Sequence, residues 1–182
     1  MSRIIHGAPA PIVTSSPSPD TAPTPVNWPD ATRQQAFERW LAPLAVTHAL
    51  DVASLAPASA DASFRRYLRL RGRTGSLIVM DAPPPQEDVR PFVSIARRIE
   101  RAGLHAPRVL AVDDVNGFLL LSDLGNWLYL DALRDASAPE ADALMRAAIG
   151  ALVQWQSRVD PAGLPDYDDA LLRRELALFP DW

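Results

Sequence analysis

The chain has 182 residues, 48% of them hydrophobic, with 22 acidic and 18 basic side chains for a formal charge of −4, and it contains no cysteine. That composition suffices for a hydrophobic core. It excludes disulfides, thiolate metal sites and a cysteine nucleophile, and presents no basic surface to nucleic acid or an anionic membrane.

All 18 basic residues are arginine, so a side-chain contact to phosphate must come from a guanidinium, with backbone N–H groups as the other donors. His6, His48 and His105 stand singly and do not form a metal-ligating pattern. From Ala8 to Pro29 the chain is dominated by Pro, Ser, Thr and Ala, and residues 1–29 read as a disordered tail. Arg3 is not followed by an uninterrupted apolar stretch, an organellar transit peptide would carry more basic charge, and no segment is long and apolar enough to span a bilayer. A cytoplasmic location is the expectation.

Order is predicted to begin at Asp30 or Thr32, either of which suits an N-cap. Phe37, Trp40, Leu41 and Leu44 follow at helical spacing, with Pro43 limiting the helix. Residues 63–70 alternate as a half-buried strand: Phe64, Arg66, Leu68 and Leu70 on one face, Arg65, Tyr67 and Arg69 on the other. The loop from Arg71 to Gly75 returns the chain into a second strand, Ser76 to Asp81. After Pro83-Pro84-Pro85, the segment from Glu87 reads as a helix. Pro91 lies in its first turn, Phe92, Ile95, Ala96 and Ile99 share a face, and Gly103 stops it. Arg108 to Val112 and Phe118 to Leu121, joined by the turn Asp113 to Gly117, form a second hairpin. Beyond it, Tyr129 to Arg134, Pro139 to Val159 and Asp168 to Phe179 all carry the helical period.

The predicted order, strands with one packed helix and then helices only, is that of an α+β lobe with its hinge over residues 30–125 and a partial helical lobe over 126–182. Phe179-Pro180-Asp181-Trp182 ends the chain without a capping or solubilising segment, which suggests truncation within a longer protein.

Four strings sharpen this reading: Ser59-Ala60-Asp61-Ala62-Ser63-Phe64-Arg65-Arg66-Tyr67, Ile78 to Pro84, Gly117 to Gly125, and Leu171 to Trp182. They resemble the aminoglycoside-phosphotransferase superfamily of protein-kinase-like fold, and within it the bacterial anomeric kinases for N-acetylmuramate and N-acetylglucosamine used in cell-wall recycling. The resemblance covers residues 33 to 182. It implies a kinase-like N-terminal lobe, ATP as nucleotide, an amino sugar as acceptor, and Mg²⁺ only in a full-length kinase.

The same resemblance implies that Ser59, Asp61 and Ser63 belong to a loop closing over the ATP phosphates. Small residues there admit backbone N–H groups to phosphate oxygens, although they equally suit an ordinary hairpin loop. Arg65 or Arg66 would neutralise phosphate charge, or be solvated on the sheet surface, and Tyr67 would lie on the strand behind the loop. Leu121, Ser122 and Asp123 would form the hinge whose backbone meets the adenine edge. Related kinases carry a strand lysine paired with a helix glutamate on the α/β-phosphates. This chain has Met80 and Asp81 there instead, with Glu87 and Glu100 downstream.

The family's catalytic His-x-Asp-x-x-x-x-Asn loop and metal-binding aspartate do not occur in these residues. Asp160, Asp166, Asp168 and Asp169 read as helix caps and loop residues, and no catalytic residue is assigned. The alternative reading is a non-catalytic nucleotide sensor or interaction module, with a protein partner covering the incomplete helical lobe.

Overall fold

The computed structural model describes residues 24–60 and 63–178. Helix α1 (Ala31–His48) starts where its cap residue predicts: the Asp30 side chain accepts the Arg33 N–H at 2.7 Å, satisfying one of the unpaired amides of the first turn. Pro43 does not end it. The helix continues through the proline to His48, because Leu44 and Ala45 still pack on the core while the proline ring faces solvent.

Strands β1 (Asp51–Ala60), β2 (Arg66–Gly72), β3 (Gly75–Asp81), β4 (Val109–Asp113) and β5 (Phe118–Ser122) form one antiparallel sheet in the order β1-β2-β3-β5-β4. Helix α2 (Val89–Arg101) lies in the chain between β3 and β4. The predicted α+β architecture holds, with two corrections. β1 is a ten-residue strand that residue patterning did not single out, since Ala, Ser and Pro dominate it. An edge strand tolerates Pro57 because one side of its backbone needs no partner, and its register with β2 slips twice. Phe64, expected on the buried face with Leu68 and Leu70, is 69% exposed. It precedes the first residue of β2, so the alternation does not reach it.

The sheet buries both faces. Against α1 lie Leu68, Leu70, Val79, Phe118 and Leu120 with Phe37 and Leu41; against α2 lie Met80, Ala82, Leu119 and Leu121 with Val89 and Val93. The buried stripe of α2 is Val89, Val93 and Ala96, displaced from the expected stripe, with Phe92 only partly buried at its flank. Val26 and Trp28, within the stretch read as tail, pack on α1, with the Trp28 and Phe37 rings 4.7 Å apart. The expected tail over residues 1–23 lies outside the described residues.

One close backbone approach ties the ends of β3 and β5 together. The Ala82 N–H donates to the Gly117 carbonyl at 2.9 Å, Gly117 has φ 72, and a Cβ there would sit 1.9 Å from the Ala82 oxygen. Only glycine fits.

Three helices follow: α3 (Tyr129–Arg134), α4 (Ala138–Arg158) and α5 (Asp169–Ala177), close to the predicted spans. None buries a residue. They meet the sheet lobe at the end of α2, where Gln154 Nε2 donates to the Ala102 carbonyl at 2.8 Å and Arg98 donates to the carbonyls of Asp160 and Ala162. No helix among the described residues is long and apolar enough to cross a membrane.

Candidate functional site

Directly opposed residues of antiparallel strands share a face, so the register of the sheet sorts the expected site residues. Ser59, Tyr67, Met80 and Leu119 form one cross-sheet row, and Arg69, Ile78 and Leu121 form the next. Both rows lie on the α2 face. The helix covers the β3 and β5 positions, while on β1 and β2 Ser59 is exposed and Tyr67 and Arg69 are half-buried. Ser59 itself is a strand residue rather than a loop residue. Asp61 lies outside the described residues. Ser63 is exposed, and its hydroxyl accepts the Arg65 N–H at 3.2 Å.

Arg65 and Arg66, adjacent in sequence, diverge. Arg65 Nε meets Glu87 Oε2 at 2.7 Å, and the other Glu87 oxygen accepts the Phe64 N–H at 3.2 Å. Glu87 precedes the α2 N-cap, Asp88, so the pair joins the entrance of β2 to the entrance of α2. The hydrogen bond from Arg65 holds the Glu87 carboxyl below its usual range, against the opposing effect of desolvation. The same contact raises Arg65. The Arg65–Glu87 pair was not foreseen from sequence; 22 residues separate its members, and no local period links them.

Arg66 is on the α1 face, in the row that runs to Asp81 and Phe118. Its Nε donates to Asp81 at 2.6 Å, its Nη1 donates to the Asn27 carbonyl, and its guanidinium lies 4.4 Å from the Trp28 ring centroid. The structure does not bring it to the face that carries Tyr67. Arg33 completes this cluster, donating to the other Asp81 oxygen and lying 4.0 Å from the Phe118 centroid.

At the predicted hinge, Leu121 is buried within β5, and the Ser122 N–H donates to the Arg108 carbonyl at 3.0 Å. The Ser122 hydroxyl accepts the Arg108 N–H at 2.8 Å. Asp123 is anchored by its side chain: Arg69 contacts it with Nε at 2.6 Å and Nη2 at 3.0 Å, the Ser76 hydroxyl donates at 2.6 Å, and the Gly125 N–H donates at 2.8 Å. Burial pushes the Asp123 carboxyl up, but the Arg69, Ser76 and Gly125 hydrogen bonds together outweigh it and hold the group below the usual aspartate range. The chain at Asp123 is therefore clamped to β2 and β3 where it leaves the sheet.

Ile78 and Met80 of β3, with Ala82 just past its end, pack toward α2, none of them charged. Glu100 is exposed on α2. Asp168 caps α5 by accepting the Leu171 N–H at 2.8 Å, and Asp160 accepts the Ala162 N–H at 2.9 Å, as their reading as caps and turns requires. Among the described residues no group of three or more His, Asp or Glu side chains is placed to hold a metal ion.

Residues 54–182 match the phosphotransferase enzyme family. The chain is similar to the N-acetylmuramate/N-acetylglucosamine kinase of Pseudomonas aeruginosa, at 60% identity over 131 residues, covering 71% of this chain and 38% of that protein. The protein of the same name from Pseudomonas putida is 53% identical over 129 residues, covering 71% and 37%. That from Neisseria meningitidis serogroup B is 38% identical over 152 residues, covering 82% and 44%. The chain thus spans less than half the length of these curated relatives. With β2 to β5 and the following helices all inside the matched region, the chain belongs to the phosphotransferase enzyme family.

Proposed function

We propose that the chain is the nucleotide-binding portion of an ATP-dependent amino-sugar kinase, inactive in phosphoryl transfer by itself. The observation that carries the reading is the succession of Ser63, Arg65 and Tyr67 at one end of a half-open sheet face, the Ser63 hydroxyl accepting the Arg65 N–H. The relatives' name, N-acetylmuramate/N-acetylglucosamine kinase, supports the substrate class. In this reading, backbone N–H groups of residues 59–63 and the Ser59 and Ser63 hydroxyls close over the phosphates, with Asp61 in the same segment. Arg65 neutralises phosphate charge, Tyr67 lines the roof, and the backbone at Leu121 to Asp123 meets the adenine edge. Arg66, held by Asp81 on the other face, is left out of the set.

The parent reaction would transfer the ATP γ-phosphoryl group to a sugar hydroxyl in the cytoplasm, as a step of cell-wall recycling. Positioning and charge neutralisation dominate such transfers. The acceptor-orienting aspartate and the Mg²⁺ ligands are assigned outside these residues.

Calorimetric titration of the chain with a non-hydrolysable ATP analogue tests the reading. Binding is expected, and Arg65→Ala should weaken it about tenfold, the effect of one charge-assisted hydrogen bond. A flat titration at millimolar analogue would sink it. A longer chain spanning the full length of the relatives should phosphorylate N-acetylmuramate or N-acetylglucosamine, whereas these 182 residues should not.

One feature favours the second reading, an interaction module. Met145, Ile149, Leu152 and Val153 follow one another at helical spacing on α4 and are each at least 50% exposed. Such an apolar row is suited to cover by protein. If this surface drives association, sedimentation should show concentration-dependent self-assembly or capture of the added helical region, and Ile149→Glu should reduce it.

A further inference from the structure

We propose that Glu87 is a positioning residue for Arg65, and that the Arg65–Glu87 pair grips phosphate in this chain as a strand lysine and helix glutamate do in related kinases. The inference rests on the nucleotide-binding reading above and assigns it a specific device.

Three observations carry it. The chain has no lysine, and the residues packed toward α2 along and just past β3 are Ile78, Met80 and Ala82, so the usual cation cannot come from β3. A cation–carboxylate pair is nevertheless present at the end of the sheet that receives the loop after Ser59, with its carboxylate at the entrance of α2. It is supplied by the start of β2 instead of the middle of β3.

The second observation is the division of labour within Glu87. Its side chain is 9% exposed. One oxygen is fixed by the Phe64 N–H while the other takes Arg65 Nε, so the carboxylate is anchored to backbone and orients the guanidinium from a fixed point. The low carboxyl pKa that follows from these bonds keeps Glu87 ionised throughout the neutral range.

The third is the contrast among neighbouring arginines. Arg69 and Arg71 each commit Nε and a terminal nitrogen to one carboxylate, Asp123 and Asp51 respectively. Arg66 divides itself between Asp81 and the Asn27 carbonyl beneath Trp28. Among the described residues Arg65 meets a carboxylate through Nε alone, at Glu87, and its side chain remains 32% exposed. A guanidinium held by one edge keeps its terminal N–H donors for a second anion, and their planar fork matches two phosphate oxygens.

Removing the Glu87 charge has two opposed effects on an incoming phosphate: it lifts a repulsion, and it frees Arg65 to rotate. The proposal requires the second to dominate. The test compares adenosine, ADP and a non-hydrolysable ATP analogue on the wild-type chain, Glu87→Gln, Arg65→Ala and the double variant, with thermal unfolding of each recorded alongside. Glu87→Gln and Arg65→Ala should each weaken the ATP analogue about tenfold while changing adenosine less than about twofold. The double variant should be no worse than the weaker single, because the two side chains act as one unit.

A Glu87→Gln effect equal on adenosine and the ATP analogue would reduce the pair to a structural tie. Unchanged or tighter analogue binding, or single effects that multiply, would likewise overturn the proposal while leaving nucleotide binding intact. If the wild-type chain binds neither adenosine nor the analogue, the nucleotide reading falls and the role of the pair falls with it. Should Glu87→Gln fail to fold, the contrast among the three ligands with Arg65→Ala and Arg65→Lys still decides: only a phosphate-dependent loss, partly restored by lysine, supports the grip.

Discussion

Asp81 is 2% exposed and receives two guanidinium groups, Arg33 on one oxygen and Arg66 on the other. A buried carboxylate is tolerable only when such partners replace its hydration. Because Arg33 comes from α1 and Arg66 from β2, this one side chain fastens the helix and two strands together, and Trp28 closes over the Arg66 guanidinium. Asp81→Asn keeps the shape but strands two cations, so it is expected to destabilise the chain by about 3 kcal/mol, read as a lower urea midpoint at unchanged slope. Asp123 makes a different prediction, about pH. Its folded-state pKa is depressed by Arg69, Ser76 and Gly125 against desolvation. Its contribution is therefore present above the unfolded aspartate pKa of about 4 and is lost as pH falls through the lower folded value. Asp123→Asn should lower the urea midpoint at pH 7, and the gap from wild type should close as both are taken into acid below the ordinary aspartate range. A gap that stays constant in acid would mean the clamp at Asp123 does not depend on the carboxylate charge.

Among the elements, those with a strong apolar period were legible in the sequence. The β2–β3 hairpin, α2, the β4–β5 hairpin and the later helices all fall near their predicted spans, because each has a stripe or a run bounded by Gly, Pro or Asp. β1 was not, because Asp51–Ala60 carries little β-branched or aromatic content and is specified mainly by pairing with β2. Pro43 was misjudged for the complementary reason. A proline costs an interior helix about 3 kcal/mol, but tertiary contacts of Leu44 and Ala45 offset that local penalty. The helix thus carries its proline at a point where the ring is exposed. Pro43→Ala should restore the amide donor toward the preceding turn and stabilise the chain by about 1 kcal/mol, the remainder being lost to the greater freedom of the unfolded chain. An unchanged or lower thermal midpoint would show that the helix loses nothing at Pro43. The site was only partly legible for a similar reason: strand alternation separates Arg65 from Arg66, but the carboxylates that commit them, Glu87 and Asp81, are selected by tertiary pairing that no local pattern encodes.

Taken whole, the molecule has an uneven distribution of burial. Its buried residues belong to α1, α2, the strands and their connections, from Phe37 to Leu121, whereas α3, α4 and α5 bury none. The attachment of the later helices relies heavily on polar contacts, Gln154 to Ala102 and Arg98 to Asp160 and Ala162, whose net worth is modest where water competes. Among the described residues the later helices are therefore the more weakly held part. Local opening free energies follow buried apolar contact, so native-state hydrogen exchange should find the slowest amides in β2, β3 and β5 and much faster exchange throughout α4 and α5. Gln154→Ala should accelerate exchange in α4 severalfold while leaving β3 unchanged, since it removes an attachment without touching either sheet core. Uniform protection across α4 and β3 would instead mean that the helices and sheet open as one cooperative unit, and that the exposed Ile149 and Leu152 row is covered in solution.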